Sequence, residues 1–316
     1  MTSADRIDVH QHVVPPFWAE ELPSHGGDPS GWHSPDWSPE AALQFMDQEQ
    51  IATGVLSLTA PAVKGWDGAE RRDMARRVNE YTAELVEKYP DRFGNFATLP
   101  LPDVESASAE AEFALTQLKA DGVVLLTSYD GVYLGDASFA PLWEVLNQHS
   151  AVVFIHPGAP AIKVLDGMPG PVVDYPFDTT RTAVHLAING MLDRYPNPEI
   201  ILSHAGGFLP YAAHRFAELL YALAPNGPST EDLLQRFGRF NFDTALSSGP
   251  AALPSLLAFS GINRVLYGSD FPYAPPSVGA SFTVKLDRYS EIDDDAHAAI
   301  NNGNARRLFP RLSKSR

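Results

Sequence analysis

Short apolar, β-branched runs alternate with longer stretches of helical periodicity from one end of the chain to the other. The first run, "RIDVHQHVV", alternates apolar and polar side chains with the period of a strand. A polar segment, "PSHGGDPSGWHSPDWS", separates it from the helical pattern "SPEAALQFMDQEQ" and a second strand, "ATGVLSLT". The helix "DMARRVNEYTAELVEKY" then leads to "RFGNFATLP", "SASAEAEFALTQLKA" to "GVVLLTSY", and "FAPLWEVLNQHS" to "AVVFIHP". "TRTAVHLAINGMLDRY" leads to "EIILSHAG", "LPYAAHRFAELLYAL" to "NFDTAL", and "PAALPSLLAFSG" to "RVLYGSDFP". "DDDAHAAINNGNARRLF" closes the chain as a helix.

Eight strand-like runs, each followed by helix or loop-plus-helix, predict parallel β/α units. Runs such as "GVVLL" and "AVVFI" are apolar at nearly every position, as strands covered on both faces must be. Eight units close naturally into a (β/α)8 TIM-type barrel, usually about 250 residues plus insertions. The expectation is therefore a single barrel domain over residues 1–316. A doubly wound open sheet is the alternative, but the first strand is not followed by a Gly-rich turn of the dinucleotide-binding type. The insertion between residues 22 and 39 is expected to form a small lobe or flap over the barrel mouth.

In such a barrel the chemistry sits at the C-terminal ends of the strands, where the βα loops open. His10 and His12 end the first predicted strand, two residues apart and so on one side of it. His156 ends the fifth, His204 the sixth and Asp270 the eighth. Imidazoles and a carboxylate gathered at one rim point to a divalent metal. Zinc is the first expectation, while manganese, iron, cobalt and nickel accept the same donors. His25 and His33 fall in the insertion, within reach of the mouth. His149, His185 and His297 lie in helical patterns, as packing or surface residues. Arg215, beside His214 on the helix after the sixth strand, is a solvated charge, a guanidinium near the mouth or a subunit contact.

Composition narrows the partners. Lys+Arg 23 against Asp+Glu 39 leaves a net charge of −16, which repels nucleic acid and anionic membrane surfaces. The absence of cysteine excludes disulfides, zinc–thiolate sites and a cysteine nucleophile. "MTSADRID" shows no signal-peptide pattern and no apolar run is long enough to span a bilayer, so a cytoplasmic protein is expected.

The ordered set "DVHQH", "FIHP", "LSHAGGFLPY", "YGSDFP" and "NNGNARRLF" resembles the metal-dependent amidohydrolase superfamily over the whole chain. More closely it resembles amidohydrolase family 2, with aminocarboxymuconate semialdehyde decarboxylase and the aromatic acid decarboxylases. The loops "GGDPSGWHSPDWSPEAALQFMD" and "NEYTAELVEKYPDRFGNFATLPLPD" are similar to proteins of the 6-methylsalicylate decarboxylase type. The resemblance implies His10, His12, His156 and Asp270 as ligands of one metal ion and His204 as a catalytic histidine. "GVVLLTSY" lacks the lysine that dinuclear amidohydrolases carboxylate, so one ion is expected. His10 stands where resorcylate-type decarboxylases often carry Glu, giving the H-x-H pair of the aminocarboxymuconate enzyme. "MDQEQIATGV" lacks that enzyme's arginine, leaving Arg215 or the metal to recognise a carboxylate.

These features imply decarboxylation of a small aromatic or enol-like acid without an oxidant, with Asp270 or His204 as proton donor. A hydrolase of an amide, lactone or ester uses the same constellation, and a barrel that binds a ligand without catalysis is the third reading. Family precedent implies a homodimer whose interface lies near Arg215.

Overall fold

A computed structural model describes residues 5–160 and 167–312. Eight strands form one sheet: β1 (Arg6–His12), β2 (Ile51–Ser57), β3 (Phe93–Thr98), β4 (Gly122–Leu126), β5 (Val152–His156), β6 (Glu199–Leu202), β7 (Asn241–Asp243) and β8 (Val265–Leu266). Neighbours pair in parallel and in chain order. The segment after β8 returns to β1. Val9 N–H donates to Tyr267 O (3.0 Å), Asp270 N–H to His10 O (2.8 Å) and His12 N–H to Phe271 O (2.7 Å), so the sheet closes on itself. The (β/α)8 barrel expected from the alternation of runs is the fold observed.

Helices cover the barrel: α1 (Pro39–Gln48), α2 (Gly68–Lys88), α3 (Val104–Thr116), α4 (Ala140–Gln148), α5 (Gly170–Ile188), α6 (Leu209–Leu223), α7 (Ala252–Ser260) and α8 (Asn304–Leu308), with others between, among them Thr230–Phe237 and Pro276–Asp287. Their starts follow local chemistry. The Ser38 side chain accepts from Ala41 N–H ahead of Pro39, and Asp103 accepts from Ser106 N–H. The α2 residues Met74, Val78 and Leu85, on one helical stripe, are buried against the sheet. The fourth run is shorter than its apolar pattern predicts. Strand β4 stops at Leu126, and Ser128–Tyr129 pairs with Val132–Tyr133 as a hairpin. Asp130 and Gly131 lie between them at φ +52° and +81°, the left-handed pair that a two-residue hairpin turn requires.

One irregularity shapes the site. From Asp8 to Gln11, β1 spends three residues where β2 spends two, Gly54 to Leu56. This bulge reverses the side-chain alternation. Ile7 and Val9, below it, join Val55, Phe96, Phe154 and Leu266 in the barrel interior, while His10 and His12, above it, turn toward the same axis. Asp8 points away, to accept from the Ser269 N–H (3.0 Å) and hydroxyl and tie β1 to the segment beyond β8. Its burial pushes its carboxyl up to about 6.

The floor of the interior is plugged by the chain's end, where Ala305, Leu308, Phe309 and Leu312 pack on Phe96 and Phe154. A larger apolar layer lies between strands and helices. No helix among the described residues is long and apolar enough to cross a membrane. Phe309→Ala should remove the plug's buried ring and lower the unfolding free energy by about 3–5 kcal/mol, read from denaturant titration with unchanged slope.

Candidate metal centre

The rim brings the predicted donors together by separate local devices. The β1 bulge delivers His10 and His12. In β5, Val152, Phe154 and His156 alternate inward, two in the apolar interior and the third at its top. Beyond β6 the chain turns through His204 (φ +52°), Ala205 (+56°), Gly206 (+70°) and Gly207 (+64°). A Cβ on Gly207 would lie 2.0 Å from Pro176 O, so only glycine permits this approach to α5. Asp270, at φ +63°, hangs from a segment whose Gly268 leaves room for His10; a Cβ there would stand 2.9 Å from the His10 Cβ. Non-glycine residues in the left-handed region are uncommon, and at His204, Ala205 and Asp270 they gather at one site.

The distances are short. His10 Nε2 lies 3.1 Å from His12 Nε2, and both lie close to Asp270 Oδ1, at 3.2 and 3.0 Å. The other carboxylate oxygen, Oδ2, is 3.4 Å from His204 Nε2. The His156 ring stands 5.2 Å from His10 and 4.9 Å from His12 between centroids. One donor atom from each of His10, His156, His204 and Asp270 can be chosen so that all four lie within 4.8 Å of one another.

The wiring behind the rings fixes what faces inward. His10 Nδ1 is 2.7 Å from buried Asp243 Oδ2, His12 Nδ1 is 3.2 Å from Ser57 O, and His156 Nδ1 is 2.8 Å from Pro157 O. Each Nδ1 therefore carries the proton and donates it, which leaves the Nε2 lone pairs turned toward the cluster. Metal-binding histidines are oriented in this way. His204 differs: its Nδ1 is buried with no hydrogen-bond partner among the described residues. Lone pairs and a carboxylate that converge without intervening protons are the donor set a divalent cation satisfies, so the residues present fit a metal.

The electrostatics show the same demand for positive charge at the centre, met on His10 by a second proton when no cation is there. Burial works against a charged His10, yet the flanking Asp243 and Asp270 push it up to about 10. Burial, then the neighbouring imidazoles, hold His156 well below the ordinary histidine range, and burial lowers His12. Asp270 is held well below the carboxylate range although burial opposes it, because His10, His12 and His204 surround it. The cluster favours concentrated positive charge at its centre and cannot place a proton on every ring.

Comparison with known proteins shows the relationship. The family described as Amidohydrolase matches residues 7–311. The chain belongs to the amidohydrolase family. The decarboxylase yanB of Aspergillus niger is 44% identical over 98% of this chain and 88% of its own length. The 6-methylsalicylic acid decarboxylase of Penicillium expansum is 42% identical over 97% of each chain. Among solved structures, a dihydroxybenzoic acid decarboxylase from Polaromonas, with bound manganese and the inhibitor 2-nitroresorcinol, aligns with a TM-score of 0.79 at 26% identity, covering 96% of each chain.

In this amidohydrolase the cluster floors a cavity of about 500 Å³, reached by His156, His204 and Asp270. Tyr175, Tyr273 and Trp32 form its aromatic walls. The insertion does reach the mouth, through Asp28, Ser30 and Trp32. His25 instead stacks on Trp66 (4.5 Å) beside a neighbouring smaller cavity, and His33 is exposed. His149 pairs with Glu112 and His297 with Tyr289 O, away from the rim. Arg215 is exposed on α6 and does not line the cavity of its own chain. Its helix runs outside the barrel, so a substrate role would need a second copy to bring it to a mouth.

Asp243 is the functional residue that the motif reading missed. It ends β7 as His156 ends β5, and the rim rule that selected the histidines points to it in "NFDTAL". Its Oδ2 holds His10, while Oδ1 accepts from the His204 N–H (2.9 Å) and the Ala245 N–H (3.0 Å). Asp243→Asn in this amidohydrolase should weaken metal binding by about 10–100-fold, measured by chelator competition.

Proposed function

We propose that this amidohydrolase is a metal-dependent decarboxylase of a small aromatic carboxylic acid of the salicylate type, working without an oxidant. One observation carries the reading: inward Nε2 lone pairs and a carboxylate meet on the floor of a cavity walled by aromatic rings. The named activities of the two fungal relatives support the reaction class. The ligand set proposed is His10, His12, His156 and Asp270. These three histidines have Nδ1 held by an acceptor, and His204 does not. Zinc is the ion proposed for this set of nitrogen and oxygen donors, with manganese, as bound in the Polaromonas enzyme, the alternative.

A divalent ion held there supplies the positive charge that draws in an acid and stabilises negative charge developing on the ring. The residues do the rest. Tyr175, Tyr273 and Trp32 sandwich a planar ring and restrict water. His204 Nε2 lies 3.4 Å from Asp270 Oδ2, and both residues open onto the cavity. A proton delivered by one of them goes to the ring carbon bearing the carboxylate. The carbon–carboxyl bond then breaks, its electron pair restores the aromatic ring, and CO2 leaves. His204 and Asp270 are thus proposed as catalytic residues. Asp270 turns Oδ1 to His10 and His12 and Oδ2 to His204, which separates its ligand edge from the edge beside the second catalytic residue.

A cytoplasmic homodimer completes the proposal. Cysteine-free composition suits a reducing compartment. Tyr211 and Leu223 on α6 are 84% and 83% exposed, flanking Arg215 along the same helix. That apolar exposure supports self-association there, with Arg215 offered to the second copy's acid substrate. Tyr211→Arg combined with Leu223→Asp should convert a dimer to a monomer in sedimentation velocity.

The test is chemical. Metal-loaded protein given salicylate or 6-methylsalicylate should release CO2 and the matching phenol, with no oxygen from labelled water in the organic product. Chelator should abolish turnover. Incorporation of water oxygen into the product, with no CO2, would establish hydrolysis instead. His204→Asn should lower kcat by about 10²–10⁴-fold while the metal content stays constant.

A further inference from the structure

The cavity holds a second carboxylate that the chemistry above does not use. Asp28 comes from the insertion rather than from a barrel strand, and it lines the same space as Asp270. Its Oδ1 accepts from the Ser30 N–H at 2.8 Å, which fixes the side chain on its own loop. That loop is pinned to the barrel at two points. Gly170 N–H at the start of α5 donates to Ser30 O (2.8 Å), and the Trp32 indole N–H donates to Tyr273 O (3.1 Å). The carboxylate is therefore held in place and cannot swing clear of an incoming ligand without breaking these contacts.

Asp28 is not among the four residues whose donor atoms gather within 4.8 Å of one another, so its charge stands apart from the cluster although it lines the same cavity. Burial also lifts the Asp28 carboxyl above its ordinary range, so the site is already short of solvent to screen another negative charge. Among the described residues lining the cavity there is neither lysine nor arginine to neutralise it. Most of the remaining lining is apolar, including Val172, Val278 and Phe282.

We propose that Asp28 is a specificity-determining residue that restricts the site to aromatic acids with one carboxylate, by setting a fixed negative charge away from the end that receives it. This rests on the acid-binding reading of the cavity given above. A ring whose first carboxylate sits at the cluster carries a second, para carboxylate toward the insertion, where it meets Asp28 in a poorly screened space. A neutral hydroxyl or alkyl substituent meets no such opposition. Like charges a few ångströms apart at the effective permittivity of such a site discriminate by about ten- to a hundredfold.

The probes are salicylate and 2-hydroxyterephthalate, which differ by one carboxylate para to the first. Their dissociation constants are measured by calorimetry on the full-length, metal-loaded protein and on Asp28→Asn, which keeps an oxygen for the Ser30 N–H. The native protein should prefer salicylate by tenfold or more, and that ratio should fall at least fivefold in the variant. Asp28→Ser, which also removes the charge, serves where Asp28→Asn fails to fold, with the same expectation. Salicylate binding with an equal ratio in native and variant proteins overturns the role of Asp28 and leaves the acid-binding reading standing. Failure of the native protein to bind salicylate overturns that reading, and the inference with it.

Discussion

Convergence of imidazole lone pairs on one carboxylate oxygen is the constraint on which the rest of the rim depends. Two ring nitrogens 3.1 Å apart, each committed to donating its other proton elsewhere, repel unless positive charge stands between or beside them. Asp270 supplies the negative counterpart, and Asp243 behind His10 prevents that ring from turning its lone pair away. An arrangement of buried, mutually opposed polar groups contributes little to stability by itself. The fold must hold it open by other means. It does so with an apolar interior sealed by the C-terminal plug and an apolar layer beneath the helices.

Regular secondary structure could not produce this geometry. Without the extra residue in β1, Ile7 and Val9 could not share the barrel interior with His10 and His12, since a strand's faces alternate. The left-handed conformations at His204, Ala205 and Asp270 cost on the order of 1–3 kcal/mol each and need local compensation. Asp243 accepts from the His204 N–H, and Asp270 N–H donates to His10 O, so hydrogen bonds from neighbouring strands hold two of these strained residues. The glycines at 206, 207 and 268 supply the remaining room, against Phe242, Pro176 and His10 respectively.

The barrel and most of the rim were legible because they follow short-range rules. Alternating runs specify β/α units, and polar residues at strand ends have one place to go. What stayed hidden depends on register or on contacts distant in the chain. Nothing in "RIDVHQH" marks a bulge, because its alternation is compatible with an unbroken strand. Asp243 obeyed the rim rule, but a single Asp after "NF" carries no spacing signal beside the H-x-H pair. The hairpin at Asp130–Gly131 had its turn signature in "YDGVY", masked by the apolar run before it. Arg215 left a solvated charge, a place near the mouth and a subunit contact all open, and helical phase sets it on the outer surface of its own chain.

Charge is distributed along the cavity in a way that separates acid from product. The floor gathers groups that demand a cation, the walls are aromatic and aliphatic, and the insertion adds a carboxylate held by Ser30. An anionic aromatic acid is drawn to the floor by its charge, whereas its ring is accepted by the walls through apolar contact alone. Loss of CO2 removes the charged carboxylate and leaves the ring, its hydroxyl and the walls. The electrostatic term that captures the acid is therefore weaker for the phenol, which favours its release. A hydrolase with the same donors would leave a new carboxylate on its product, which the floor would retain. The same polarity of charge thus favours a reaction that destroys the anion over one that creates it.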